Sequence, residues 1–231
     1  MSLTLYKKKR SFNETPEPKG KKKSSARSLK FVVQKHDATQ LHYDFRLEME
    51  GALKSWAIPK GPSLNPQDKR LAMMVEDHPF DYRTFEGTIP AGNYGAGTVM
   101  VWDEGTYTAM GFEEEPIKKQ EKILLEEMKK GDVKIVLDGE KLKGAFALVK
   151  IKGRGENTWL LIKKQDAAAT DKDVTKKDKS VKTNRTLNQI AQDAGGNPKE
   201  KKSLTKKTPK PPELLNNRSK KNTRVKKKST T

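Results

Sequence analysis

Charge divides this sequence into three parts, and the division sets how much of the chain can form a core. Residues 1–30 hold ten Lys/Arg against two Asp/Glu, and residues 166–231 hold nineteen against seven, so the two ends carry +8 and +12. The 135 residues between them carry twenty basic and twenty-one acidic side chains, a net of −1. They also hold thirteen of the fifteen aromatic residues, all but Tyr6 and Phe12. A Lys-dense segment without aromatics cannot bury enough apolar area to offset its ordering entropy. The expectation is one domain over residues 31–165, long enough for a real core. A basic N-terminal segment (1–30) lies partly ordered against it, with residues 18–28 as a flexible linker. A disordered Lys-rich tail runs over 166–231, relieved only by a transient helical turn at Leu187–Ala191. Such a tail suits a nucleic-acid arm, because each phosphate it neutralises releases counterions.

Several classes are excluded at once. No run approaches 18 apolar residues, so no membrane helix is expected, and MSLTLYKKKR lacks the apolar run of a signal peptide. With no Cys there is no disulfide frame, thiolate zinc site or cysteine nucleophile. The expected location is cytoplasmic and nucleoid-associated.

The middle reads as mostly β. Residues 29–34 form a strand of β-branched and aromatic type. Residues 43–49 alternate, with Phe45, Leu47 and Met49 on one face and Asp44, Arg46 and Glu48 on the other. Glu50-Gly51 is a turn, and residues 52–58 are the hairpin partner. Further strands fall at 71–75, 97–102, 105–107, 133–137, 144–151 and 158–162, with turns at Asp138-Gly139 and Arg154-Gly155. One helix is predicted from Pro116 to Lys130, stopped by Gly131. The fold class is therefore a small compact β-barrel with one or two short helices, flanked by disordered basic tails.

All three histidines, His36, His42 and His78, lie within this domain. His42, Asp44 and Arg46 are each two apart on a strand and so share a face. Two imidazoles and a carboxylate, His36, His42 and Asp44, form a three-ligand set that leaves positions open on a divalent metal. Arg46 would aim a planar cation at the same spot, a clamp for two phosphate oxygens. An isolated His-x-Asp is more often a surface pair; here the concentration of histidines on a polar strand face favours a site. His78, in Glu76-Asp77-His78-Pro79, suits a further ligand, an acid/base or a phosphate contact. On their own, Lys60 reads as a solvated lysine and Glu76-Asp77 as a turn. The glycine segment Ile89–Gly97 lacks a Gly-Lys-Ser/Thr ending and precedes a strand, so it reads as a barrel-corner bend. Leu137-Asp-Gly-Glu140 has no Lys-x-Asp-Gly nucleophile beside it, which excludes ligase-type self-adenylylation.

Taken together, His36-x5-His42-Tyr-Asp44-Phe-Arg46, Leu53–Ser63, Asp68-Lys-Arg70, Val75-Glu-Asp-His78-Pro-x-Asp-Tyr82, Phe85–Val99 and Trp159–Lys163 resemble the 3′-phosphoesterase domain of bacterial ligase D over about residues 5–165. The resemblance implies a small β-barrel that heals DNA 3′ ends in Ku-dependent end joining. It would use a divalent metal, typically Mn2+, with Co2+ or Zn2+ as alternatives. It would remove a 3′-terminal ribonucleotide to leave a 3′-phosphate, then the phosphate to leave a 3′-OH. Carried over by position, His36, His42 and Asp44 would bind the metal. Arg46, His78 and Tyr82 would hold and polarise the scissile phosphate, and Lys60, Arg70 and Glu76 would support activity. Arg10, Glu17 and Gln34 would help the nucleotide-removing step. The family's Lys-Arg-Asp-Phe reads Lys9-Arg10-Ser11-Phe12 here, so an acid is missing from the segment that serves that step. The sequence carries no polymerase or ligase module, so the expectation is a stand-alone, monomeric hydrolase, with Ku and a separate ligase or polymerase as partners. Two other classes remain: a catalytically weak DNA-binding accessory protein of end joining, and a nucleoid protein whose domain is only a scaffold.

Overall fold

A computed structural model describes residues 3–20, 24–25 and 27–195. Nine strands form one sheet: β1 (Leu29–Asp37), β2 (Leu41–Met49), β3 (Ala52–Ile58), β4 (Lys69–Pro79), β5 (Gly87–Ile89), β6 (Gly97–Ala109), β7 (Asp132–Gly139), β8 (Lys143–Lys150) and β9 (Thr158–Lys163). The order is β1-β2-β3-β4-β9-β8-β7-β6-β5, and β1 also pairs with β6. That last pairing closes eight strands into an antiparallel barrel and leaves β5 as a short outer addition to β6. Closure removes the free edges that a small open sheet would expose. Three helices accompany it: α1 (Thr4–Lys8), α2 (Ile117–Lys130) and α3 (Leu187–Asp193). No helix among the described residues is long and apolar enough to cross a membrane.

Strand alternation gives the barrel two working faces. Phe31, Val33, Phe45, Leu47, Met49, Trp56, Met100, Trp102, Tyr107, Phe146 and Leu148 fill the interior. Outward apolar residues of β1, β3 and β6 are buried as well, because a second apolar layer covers them. Tyr6 of α1, Phe80, Tyr82, Phe85 and Ile89 pack there against Val32, Leu53, Val99 and Val101. The pairing is tight where the chain reverses between β2 and β3: Glu50 (φ 52°) and Gly51 (φ 70°) are both left-handed, as a two-residue turn between twisted strands requires.

Two irregularities shape the outer face. Opposite Val33 and Gln34, β6 carries one extra residue between Val101 and Asp103. Before it Met100 and Trp102 point inward, after it Tyr107 and Ala109 do. This bulge breaks the alternation, so what reads as two segments in the sequence is one strand of 13 residues. On β4, Leu53 faces His78 while Ser55 faces Val75, so Glu76 and Asp77 together oppose Lys54. Asp77 turns to the buried Lys54 ammonium (2.7 Å), and Glu76 and His78 stay on the outer side. Glu76-Asp77 is thus a bulge within a strand and not a turn.

Other expectations need correction. The β7–β8 connection turns at residues 140–142, not at Asp138-Gly139, because the Asp103 carboxylate accepts the N–H groups of Glu140, Lys141 and Leu142. Residues 166–195 are not a disordered tail: they strap the barrel. Val174 and Ile190 are buried in the main core, Thr170 N–H donates to Leu64 O, and Val181 N–H donates to Val101 O. Trp102 Nε1 donates to Lys177 O. Leu187–Ala191 belongs to α3, a stable helix started by a Thr186/Gln189 capping box. Glu86 anchors the strap, accepting from Ser180 Oγ (2.6 Å), Thr183 Oγ1 and Arg185. The reason lies in the composition: residues 166–195 hold six basic and five acidic side chains, whereas 196–231 hold thirteen and two. Averaging the two hid a near-neutral segment able to pack. The expectation of disorder for 196–231 lies outside the described residues.

Candidate active site

The outer face of β1–β2–β3 carries the polar cluster. His36 and His42 are direct cross-strand partners, and one step along the ladder Gln34 faces Asp44 and Asp44 faces Ala57. One further step places Arg46 between Val32 and Ser55. Direct partners bring their side chains within reach, and the diagonal neighbour completes a triangle. The ligand atoms of His36, His42 and Asp44 all lie within 4.8 Å of one another. His36 Nδ1 is 3.7 Å from Asp44 Oδ2, and His42 Nε2 is 3.6 Å from Asp44 Oδ1. These separations are too long for good hydrogen bonds.

The set fits a divalent metal on two further observations. His42 Nδ1 lies 2.9 Å from Gln40 O, which fixes the ring so that Nε2 is the nitrogen facing Asp44. His36 Nε2 is buried with no hydrogen-bond partner, a cost that a buried imidazole rarely bears without a functional reason. Burial pushes the Asp44 carboxyl up, but Arg46, His36 and His42 outweigh it and hold Asp44 well below the usual carboxylate range. It is therefore ionised, as a ligand must be.

Arg46 is fixed on three sides. Its Nε donates to Gln34 Oε1 (2.8 Å), its Nη2 donates to Asp44 Oδ2 (3.1 Å), and its Nη1 lies 3.0 Å from His78 Nδ1. Gln34 in turn donates to the carbonyls of Tyr82 and Phe85. His78 sits between two guanidinium groups, since Arg10 Nη2 is 3.0 Å from its Nε2. Its Nδ1 is also 2.9 Å from Glu76 O. Burial first, then Arg46 and Arg10, push His78 well below the ordinary imidazole range, so it is neutral and has a single lone pair. That one lone pair can accept from only one of the two guanidinium groups that face the ring. One strong donor is thus left short of an acceptor, which an anionic oxygen would supply.

The N-terminal segment completes the cluster. Arg10 donates to Glu17 (2.8 Å) and Glu76 (3.1 Å), and Lys9 donates to Glu76 (3.1 Å). Glu76 is pushed up by burial, but its backbone hydrogen bond, Lys9 and Arg10 hold it below its usual range. A cavity of about 190 Å³ opens among Arg10, His36, His42, Asp44, Arg46, Glu76, His78 and Tyr82, walled by Ala38, Ala57, Val75, Ile89, Tyr94 and Gly95.

Eight of the twelve residues singled out in the sequence line this cavity, and four do not. Glu17 lies behind Arg10, and Gln34 lies behind Arg46. Lys60 is exposed in the turn after β3. Arg70, at the start of β4, pairs with Asp68 (2.8 Å). Neither Lys60 nor Arg70 is in the cavity lining, because the strand path carries both away from the His36–Arg46 patch. Tyr82 does line the cavity, but burial and then Glu17 raise its phenol well above its ordinary range, and its hydroxyl donates to Glu17 Oε1 (3.0 Å). It presents its ring, 5.0 Å from the Arg46 guanidinium carbon, and not a free hydroxyl. Sequence reasoning missed Lys9 and Tyr94. The Ile89–Gly97 segment does make a sharp close approach, since a Cβ on Gly97 (φ 141°) would lie 2.3 Å from Asp37 O, but it also forms a cavity wall. An aromatic residue set among three glycines was the available signal.

Residues 34–150 match the family model described as "DNA Ligase D 3'-phosphoesterase domain". The chain is 47% identical over 192 residues to a multifunctional non-homologous end joining protein LigD of Pseudomonas aeruginosa, covering 80% of this chain and 22% of that protein. It is 39% identical over 165 residues to the LigD protein of Mycolicibacterium smegmatis (71% and 21%), and 41% identical over 159 residues to that of Mycobacterium tuberculosis (68% and 19%). The chain thus spans about a fifth of the length of the curated relatives it matches.

Proposed function

The chain belongs to the DNA ligase D 3′-phosphoesterase domain family, and from that premise we propose that it is a metal-dependent hydrolase that heals DNA 3′ ends. It removes a 3′-terminal ribonucleotide and a 3′-phosphate to leave a 3′-OH, which Ku-dependent end joining passes to a ligase or polymerase. The observation that carries this reading is the meeting, in one cavity, of the His36–His42–Asp44 triangle and the Arg46 guanidinium.

His36, His42 and Asp44 would hold the divalent ion, with Mn2+ the first candidate and Co2+ and Zn2+ the others. When bound, that ion polarises a phosphoryl oxygen and lowers the pKa of water. Arg46 binds a non-bridging oxygen, and Asp44 and Gln34 keep its plane fixed as negative charge develops. Pre-placed donors of this kind are among the largest contributions to phosphoryl transfer. His78 sits neutral between Arg10 and Arg46, so it orients a cation without adding charge. Glu17 and Glu76 hold Arg10 from two sides, and Tyr82 closes the floor with its ring.

A primer–template ending in a 3′-phosphate, incubated with Mn2+ and with EDTA as control, tests the proposal directly. The expected product is a 3′-OH end that a polymerase can extend, formed only with metal. A 3′-phosphate that persists with Mn2+, Co2+ and Zn2+ alike would overturn it.

A further inference from the structure

Tyr94 is nearly half exposed (47%) at the mouth of the cavity, whereas almost every other aromatic ring in the domain is buried. It ends a stack. The Arg10 guanidinium carbon lies 4.0 Å from the Tyr6 ring centroid and 5.4 Å from that of Tyr94. Lys9 Nζ sits 4.6 Å from the Tyr94 centroid and donates to its hydroxyl (3.1 Å). Aromatic and cationic groups therefore alternate outward from the buried Tyr6, and Tyr94 at the outer end is nearly half exposed. Gly92 and Gly95 on either side have open surroundings, with nothing nearer than 3.9 Å to an added Cβ.

The cavity is lined mainly by charged groups suited to a phosphate, with Ala38, Ala57, Val75, Ile89 and the Tyr82 ring as its apolar wall. A nucleobase next to the scissile phosphate must lie over the rim. Resting on the phosphoesterase reading above, we propose that Tyr94, backed by Lys9 and Arg10, is a stacking platform for the nucleobase adjacent to that phosphate. A π-face accepts any base, so the platform recognises a strand end without selecting sequence. The base could belong to the leaving ribonucleoside or to the retained strand, and the same experiment separates them.

Three labelled primer–templates ending in a ribonucleoside serve as probes: one intact, one lacking the base of the terminal ribose, and one lacking the base just before the scissile phosphate. Full-length protein binds them in EDTA at raised salt, where anisotropy reports affinity without turnover and phosphate contacts by the basic residues count for less. In the wild type, one base deletion weakens binding about tenfold, and the strand that responds identifies the side. Tyr94→Ala binds the intact strand about tenfold more weakly and loses its sensitivity to the deletion. Tyr94→Phe, which keeps the ring, follows the wild type. A wild type indifferent to both deletions, or a Tyr94→Ala protein as sensitive as the wild type, overturns the platform. Turnover of the same strands with Mn2+ is read separately: absence of cleavage beside a Tyr94-dependent base effect would remove the phosphoesterase reading and leave the platform standing.

Discussion

The barrel interior and the layer outside it are built from the same strands but by different rules. Inside, Phe45, Trp56, Trp102 and Phe146 come from strands β2, β3, β6 and β8, and their stabilisation is non-directional burial. Outside, Arg10, Glu17, Arg46, Glu76, His78 and Tyr82 come from segments up to 72 residues apart, and each is held by directed hydrogen bonds. A residue inside can be exchanged for another of similar volume, whereas a residue outside is tied to named partners. The interior therefore fixes the shape, and the outer layer makes that shape chemically specific.

The sharpest test of this division is His42→Ala. It should abolish metal-dependent 3′-end processing, a loss of at least about a thousandfold, and remove Mn2+ binding by calorimetry. Its unfolding midpoint should stay close to wild type, because His42 is only partly buried and belongs to neither apolar cluster. Full activity in this variant would break the assignment. Phe146→Ala is the converse: it lies in the interior on β8, away from the cavity, and should cost about 3–5 kcal/mol in urea unfolding. The fraction that remains folded should turn over normally, and a specific loss of turnover would show that the two regions are coupled.

The strap gives an intermediate case. Stopping the chain after residue 195 should weaken DNA binding and flatten its salt dependence, since thirteen basic side chains are lost, while kcat on a short saturating primer holds. Stopping at 165 removes Ser180, Thr183 and Arg185 from Glu86. It should lower kcat about tenfold, because Phe85 O, next to Glu86, is one of the two carbonyls that fix Gln34 behind Arg46. Equal kcat for the two truncations would show that the strap only adds stability. The smallest effect is expected at Ser11. Restoring an acid with Ser11→Asp should raise ribonucleoside removal a few-fold and leave phosphate removal near its starting value, in line with the modest gain from a charged over a neutral hydrogen-bond partner. No change in the ratio of the two rates would set the segment aside as a discriminator.

The interior was largely legible in the sequence, because alternation along β2 is strict and one face is apolar. It failed where a bulge changed the phase, at Trp102 on β6 and at Glu76-Asp77 on β4. On β2 the outer face could be read as well, since spacing alone puts His42, Asp44 and Arg46 on one side. Composition and spacing could not show that this face is covered. Tyr6 lies in a segment dominated by Lys, yet it is buried in the outer apolar layer with Arg10 stacked upon it. Tyr94 and Lys9 meet only because a glycine loop and the N-terminal segment converge from opposite ends of the domain. The 166–195 strap escaped notice because its near-neutral charge was pooled with the basic residues after it.

A barrel with a solid interior has no mouth, and here that shapes how a substrate can approach. The cavity is a dent on the flank of a cylinder, so its target is met side-on and need not be threaded through a pore. On the proposed reading, a partner far bulkier than the protein, such as a duplex already gripped by other proteins, needs to bring only its terminal nucleotides to the surface. The rest of that partner can remain outside, so the length and shape of the duplex behind the end should matter little to the chemistry.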